Sequence, residues 1–165
     1  MAAIDSEWIP SILTGKGPYK VSILQISTES KIFLFCLIKL FQTERDALDD
    51  CLKAIFHSAN ILRLGYALEN DLKQLFHSYA ALKCFHFCEY TLDLQKFDGS
   101  FGGGLSGLTT RVLNGRLNKI TGMGNCAQRP LDCAQMQYES LDAVVPIAIF
   151  NVLVHLIDFL VGKDR

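Results

Sequence analysis

Apolar runs of strand length, broken by turn signals, fill the first part of the chain, and a longer period replaces them afterwards. Ala2 to Trp8, Tyr19 to Ser27 and Lys31 to Leu40 carry strand character, separated by Thr14-Gly15-Lys16-Gly17-Pro18 and Thr28-Glu29-Ser30, which read as turns. Connections this short predict an antiparallel meander. From Thr43 the spacing becomes helical, with Leu48, Leu52, Ile55 and Phe56 on one face, and Ile61 to Ala67 returns to strand character. Asp71 to Tyr79 is predicted as a helix and Ala81 to Tyr90 as a fifth strand. A strand, helix, strand, helix series favours parallel pairing with right-handed crossovers. The rest of the chain reads as mostly helical.

Composition narrows what such a fold can do. At 165 residues and 50% hydrophobic the chain has material for one well-filled core. Its 16 basic and 17 acidic residues leave a net charge of −1, so no global basic field captures nucleic acid. Any contact with phosphate must be local or mediated by a metal ion. The six cysteines show no Cys-x-x-Cys spacing and no matching histidines, which excludes a legible zinc site or disulfide framework. Several lie within apolar runs, as buried thiols in a reducing, intracellular setting do. No signal peptide is expected, because Asp5 and Glu7 interrupt the first apolar stretch. Val144 to Val161 is apolar, but Pro146, Asn151, His155 and Asp158 break it, and a buried C-terminal helix is expected rather than a membrane span. Gly102-Gly103-Gly104 reads as a hinge or loop, since no strand closely precedes it and no Lys-Ser/Thr follows.

The chemistry begins with Asp5 and Glu7. On a strand, positions i and i+2 share a face, so these carboxylates stand side by side in an apolar run. Adjacent buried acids need a proton or a cation between them, and a divalent metal is the natural occupant; an edge strand with its acidic face in water also accommodates the pair. Asp71 falls where the apolar run from Leu62 gives way to a helical pattern, and taken alone it reads as a helix-start cap. Tyr138 and Asp142, four apart in a helical stretch, share a face, although a tyrosine at that spacing also suits a core.

Taken together and in this order, Asp5-x-Glu7, Asp71 and Tyr138-x-x-x-Asp142 resemble the three exonuclease motifs of the DEDDy family. That family includes ribonuclease D, the Werner-type exonuclease and the Mutator-type and Nibbler-type exonucleases that trim small RNAs. The resemblance runs from about Ile4 to about Phe150. It extends to Lys20-Val21-Ser22-Ile23-Leu24-Gln25-Ile26-Ser27, similar to the family's second strand, and to Arg129-Pro130-Leu131 ahead of the last helix. Leu64-Gly65-Tyr66 through Asn70-Asp71-Leu72-Lys73-Gln74-Leu75 resembles the Mutator-type branch, plant members included. Leu105 to Leu113 resembles the family's small helix, and Met123 to Gln128 a loop before the final one. The implied fold is a ribonuclease H-like, DnaQ-like α/β sandwich: a five-stranded mixed sheet, three strands antiparallel and the rest parallel, flanked by helices. Residues 1–165 are expected to form one 3′-5′ exonuclease domain, either excised from a longer protein or an N-terminally short isoform of one, since family domains usually carry a lead-in before the first strand.

The resemblance implies two divalent ions, Mg²⁺ or Mn²⁺, held by Asp5, Glu7, Asp71 and Asp142, with Asp5 bridging both and Asp71 supporting the second through water. Tyr138 replaces the histidine of the sister subtype and would orient the attacking water. The implied partner is a nucleic acid with a free 3′ hydroxyl, single-stranded RNA by the Mutator-type likeness, and no membrane. A Werner-type enzyme acting on DNA and a catalytically silent scaffold of the same fold are the alternatives, and the intact acids argue against the second. Trp8 suits either the terminal base or the core, Lys119 and Arg129 suit phosphate contacts or plain surface charge, and Asp93 sits at a position often acidic in the family but is also explained as a cap. One departure concerns Gly124-Asn125-Cys126-Ala127-Gln128, where relatives carry an Asn/Asp-Trp pair; the order of that loop and any stacking from it are placed in doubt.

Overall fold

A computed structural model describes residues 1–8, 20–99, 102–115, 117 and 133–162, with the side chains of the last segment described for 140–161. Strands β1 (Ala2–Glu7), β2 (Ile23–Ser27) and β3 (Ile32–Cys36) pair antiparallel, Asp5 opposite Gln25 and Leu24 opposite Phe35. Helices α1 (Leu37–Thr43) and α2 (Arg45–Phe56) lead to β4 (Arg63–Gly65), and α3 (Leu68–Ser78) leads on towards β5 (Thr91–Asp93). Here the pairing turns parallel, β4 on β1 and β5 on β4, giving the order β3-β2-β1-β4-β5. Three antiparallel strands followed by parallel ones is the order the apolar pattern predicts. Helices α4 (Gln95–Asp98), α5 (Gly104–Leu113) and α6 (Cys133–Gly162) complete the described elements.

Alternation along the strands divides the core between the two faces of the sheet. Ile4 packs with Leu48, Leu52, Leu68 and Leu75 beneath α2 and α3, whereas Ala3 and Leu64 meet Ile147 of α6 on the opposite side. Arg63, on the α2 side, is fully buried, and no carboxylate among the described residues forms a salt bridge with it. Its guanidinium donates instead to the backbone carbonyls of Ile55, Ser58 (2.7 Å) and Glu89 (2.7 Å). These include a carbonyl from the last turn of α2, which has no partner within the helix. At the other end of β4, a Cβ on Gly65 would lie 2.9 Å from the Cβ of Leu68 and 3.0 Å from the carbonyl oxygen of Ile4. Only glycine lets β4 run so close beneath the start of α3.

Three expectations are corrected. The strand expected over Lys31 to Leu40 ends at Cys36, because Leu37, Leu40 and Phe41 also carry helical spacing and α1 buries them under the main core. No strand forms over Ala81 to Tyr90: Lys83–Phe85 make one 3-10 turn, and pairing begins only at Thr91. Leu82, Cys84 and Phe85 are buried there by helices rather than by a neighbouring strand, with the Phe85 ring edge-on to Phe56 at 5.3 Å. Among its described side chains, the C-terminal helix is buried only up to about Ile149. Ala143, Val145, Ile147 and Ile149 are covered, while Leu156, Ile157, Phe159, Leu160 and Val161 are more than half exposed. A 30-residue helix runs about 45 Å, whereas a six-residue strand covers about 20 Å, so α6 overhangs the sheet. The segment Ser140–Val161 is long and apolar enough to cross a membrane by length and composition, but its first half is committed to the sheet. The predicted turn at Thr14-Gly15-Lys16-Gly17-Pro18 and the loop Met123 to Gln128 lie outside the described residues.

Candidate active site

Period-two alternation sorts the three polar residues of β1 onto two faces. Asp5 and Glu7 turn, half-buried, towards α6, and Ser6 is buried on the side of α3. On the same face, Ser27 of β2, opposite Ala3, donates a 2.5 Å hydrogen bond to the carbonyl of Ala143, which seats α6 on the sheet. Its neighbour Asp142 is buried, and donor oxygens of Asp5, Glu7 and Asp142 lie within 4.8 Å of one another. Three carboxylates this close, two half-buried and one buried, repel one another, and a cation among them would relieve that repulsion. The donors are carboxylate oxygens alone, the set that suits a hard divalent ion such as Mg²⁺ or Mn²⁺ and not a thiol- or imidazole-seeking metal.

Asp71 is not one of the three. It sits in the first turn of α3, 6% exposed, and its Oδ1 accepts a 2.7 Å hydrogen bond from the Ser6 hydroxyl. Burial pushes its carboxyl up to about 7; the Ser6 hydrogen bond pulls the other way, and the charge of Asp93 adds to the rise. Its helix begins later in expectation than in fact: α3 starts at Leu68, so Asp71 lies inside the first turn rather than before it. The residue before that helix, Ala67, holds a left-handed conformation (φ 58°) that a non-glycine residue adopts only when its surroundings enforce it. Asp93 enforces it, its Oδ1 accepting from the Ala67 N–H at 2.8 Å and from the Gln95 N–H at 3.0 Å. Asp93 is therefore a clasp between two strand-end loops.

Of the other expected site residues, Trp8 is half-buried and packs against the main core. Tyr138 stands on α6 one turn before Asp142; its side chain, together with Lys119 and Arg129, lies outside the described residues. Sequence reasoning passed over Ser6 and Ser27. The alternation that pairs Asp5 with Glu7 also sends Ser6 to the opposite face, and that signal was available. It also passed over Asp98, buried between the Tyr66 hydroxyl (3.1 Å) and the Arg111 guanidinium, which ties the loop after β4 to α4 and α5. Nothing in the local sequence points to that link.

A mixed sheet in this order, with acids on its first strand met by an acid from its last helix, defines the ribonuclease H-like class of α/β domains. The family model described as 3′-5′ exonuclease matches residues 1–158, and the chain belongs to that family of phosphodiester hydrolases. The exonuclease mut-7 homologue of Drosophila melanogaster is 28% identical over 176 residues, covering 95% of this chain and 27% of the relative. A 3′-5′ exonuclease of Arabidopsis thaliana is 29% identical over 166 residues, covering 97% and 54%. The crystal structure of the Aedes aegypti Nibbler EXO domain superposes with a TM-score of 0.75 at 26% identity, covering 94% of this chain and 80% of that one. The chain thus spans between about a fifth and about half of the curated relatives it matches.

Proposed function

We propose that this domain shortens single-stranded RNA from its 3′ end, one nucleotide at a time, in a reaction that depends on two Mg²⁺ or Mn²⁺ ions. The observation that carries the reading is the convergence of Asp5, Glu7 and Asp142 within 4.8 Å in a member of the 3′-5′ exonuclease family. Asp5, Glu7 and Asp142 would hold the cations, and Asp71, fixed by Ser6, would support the second one indirectly. When bound, such ions lower the pKa of an attacking water and neutralise charge on the departing oxygen. The protein supplies the rest. Carboxylates carried on β1 and α6 would define where the scissile phosphate can sit, and Tyr138 would orient the nucleophile rather than deprotonate it, since a phenol in water titrates at about 10 and is a poor base. RNA is favoured over DNA by the likeness to the Mutator-type and Nibbler-type branch.

Charge shapes how substrate is held. With a net charge of −1 and no run of basic residues, the domain neutralises few phosphates, so binding centres on the terminal nucleotides. The test is KM against salt on single-stranded and blunt duplex RNA and DNA, with Mn²⁺ present. Single-stranded RNA should be digested fastest, with a shallow slope matching roughly two to four phosphate contacts. Faster digestion of the duplex, a preference for DNA, or a slope implying about eight contacts or more would overturn the substrate assignment.

A further inference from the structure

The third carboxylate of the group does not come from the sheet. Asp5 and Glu7 are fixed by the β1–β2 ladder, but Asp142 arrives on α6, and its position depends on how that helix is seated. A helix that slips by one residue moves its side chains about 1.5 Å along the axis and turns them by about 100°, which takes a ligand far outside the roughly 0.5 Å tolerance of a metal site. Something must set both height and rotation.

We infer that Ser27 is a positioning residue for Asp142, acting through the carbonyl of Ala143; the inference rests on the reading of Asp5, Glu7 and Asp142 as cation ligands. Ser27 and Ala3, opposite each other in the β1–β2 register, are both fully buried on the face that α6 covers. Two such small side chains let the helix backbone come down onto the strands. The Ser27 hydroxyl then reaches Ala143 at 2.5 Å, across 116 positions of sequence. An alanine would fill that space nearly as well, so the hydroxyl contributes direction more than burial. α6 needs that direction here. Pro146, four residues after Asp142 within the helix, has no N–H to offer the Asp142 carbonyl and its ring crowds it, so the regular ladder is weakest at the residue that must be aimed. The side-chain bond from β2 restrains the helix beside that gap.

The experiment uses the full chain and compares wild type with Ser27→Ala, Ser27→Cys and Asp142→Asn. Mn²⁺ affinity is read from the electron paramagnetic resonance of free Mn²⁺, and thermal midpoints are taken with and without Mn²⁺. Outer-shell partners of metal ligands typically cost 10- to 100-fold in affinity when removed. Ser27→Ala should therefore bind Mn²⁺ about 10-fold more weakly and show a smaller Mn²⁺-induced rise in midpoint. Ser27→Cys, close in size but a weak donor, should fall between it and wild type. Wild-type Mn²⁺ affinity in Ser27→Ala, even with a lower metal-free midpoint, would reduce Ser27 to a structural contact and overturn the proposal. Should Ser27→Ala not fold, wild-type affinity in Ser27→Cys would do the same. Equal affinity of Asp142→Asn and wild type would instead sink the cation-ligand reading itself.

Discussion

Ser6 and Asp71 are joined by a buried 2.7 Å hydrogen bond, the serine hydroxyl donating to Oδ1, although Ser6 lies between Asp5 and Glu7 in sequence and points to the opposite face of β1. One short strand thereby addresses two helices: α6 brings Asp142 to its acidic face, and α3 brings Asp71 to the other. The fourth acid is coupled to the first two through the strand that carries them.

That burial makes Asp71 a source of pH dependence in the metal-free protein. Its carboxyl is raised from 3.8 to about 7, chiefly by desolvation. A folded-state value above the unfolded one means that its contribution to stability is complete below about pH 4 and is lost as pH rises through about 7, by up to about 4 kcal/mol. Urea unfolding from pH 4 to 8 in EDTA should show wild type losing stability with pH relative to Asp71→Asn; parallel profiles would contradict the burial argument.

Asp93 serves as a structural counterpart to the proposed ligands. Its Oδ1 holds the Ala67 and Gln95 N–H groups, and an asparagine oxygen can accept both bonds. Asp93→Asn should keep activity, whereas Asp93→Ala should lose about 1–2 kcal/mol of stability with the left-handed Ala67 loop. Thermal melts and single-turnover rates on the two variants distinguish these outcomes.

Arg63 should be among the costliest residues to replace. Arg63→Met keeps the apolar stem but leaves three part-buried carbonyls without their donors, at up to about 1–3 kcal/mol each before any rescue by water. A loss of at least about 3 kcal/mol in denaturant unfolding is expected; a loss below about 1 kcal/mol would mean that solvent satisfies the end of α2.

How much of this was legible varies with the range of the interactions. Asp5 and Glu7 could be paired from local alternation, and Leu48, Leu52 and Phe56 from helical spacing, because both follow from the geometry of a single element. Boundaries were less legible. The run from Ile32 to Phe41 is apolar enough to satisfy a strand or a helix, and tertiary contact with the main core settles it as both. Cys84 and Phe85 read as strand residues because burial, not pairing, was the signal in the sequence. Ser6 and Ser27 were missed for another reason: alternation assigns each a face, but their partners lie 65 and 116 positions away, and a lone serine carries no mark of which group its hydroxyl meets.

The two kinds of proposed catalytic residue should differ in their effects. Asp5→Ala removes a ligand on which the charge balance of the group depends and should cost at least about 10³-fold in rate. Tyr138→Phe removes one orienting hydrogen bond and should cost about 10- to 100-fold. Single-turnover kinetics on the two variants measure this; a Tyr138→Phe variant as inactive as Asp5→Ala would give the tyrosine more than an orienting role.

The most direct measurement follows 5′-labelled single-stranded RNA with the purified domain in Mn²⁺, in excess EDTA, and with Asp5→Ala in Mn²⁺. Wild type in Mn²⁺ should produce a ladder that shortens from the 3′ end by single nucleotides, and the other two reactions should leave the substrate intact. Unimpaired cleavage in excess chelator, or by Asp5→Ala, would contradict a metal-dependent exonuclease built on these acids.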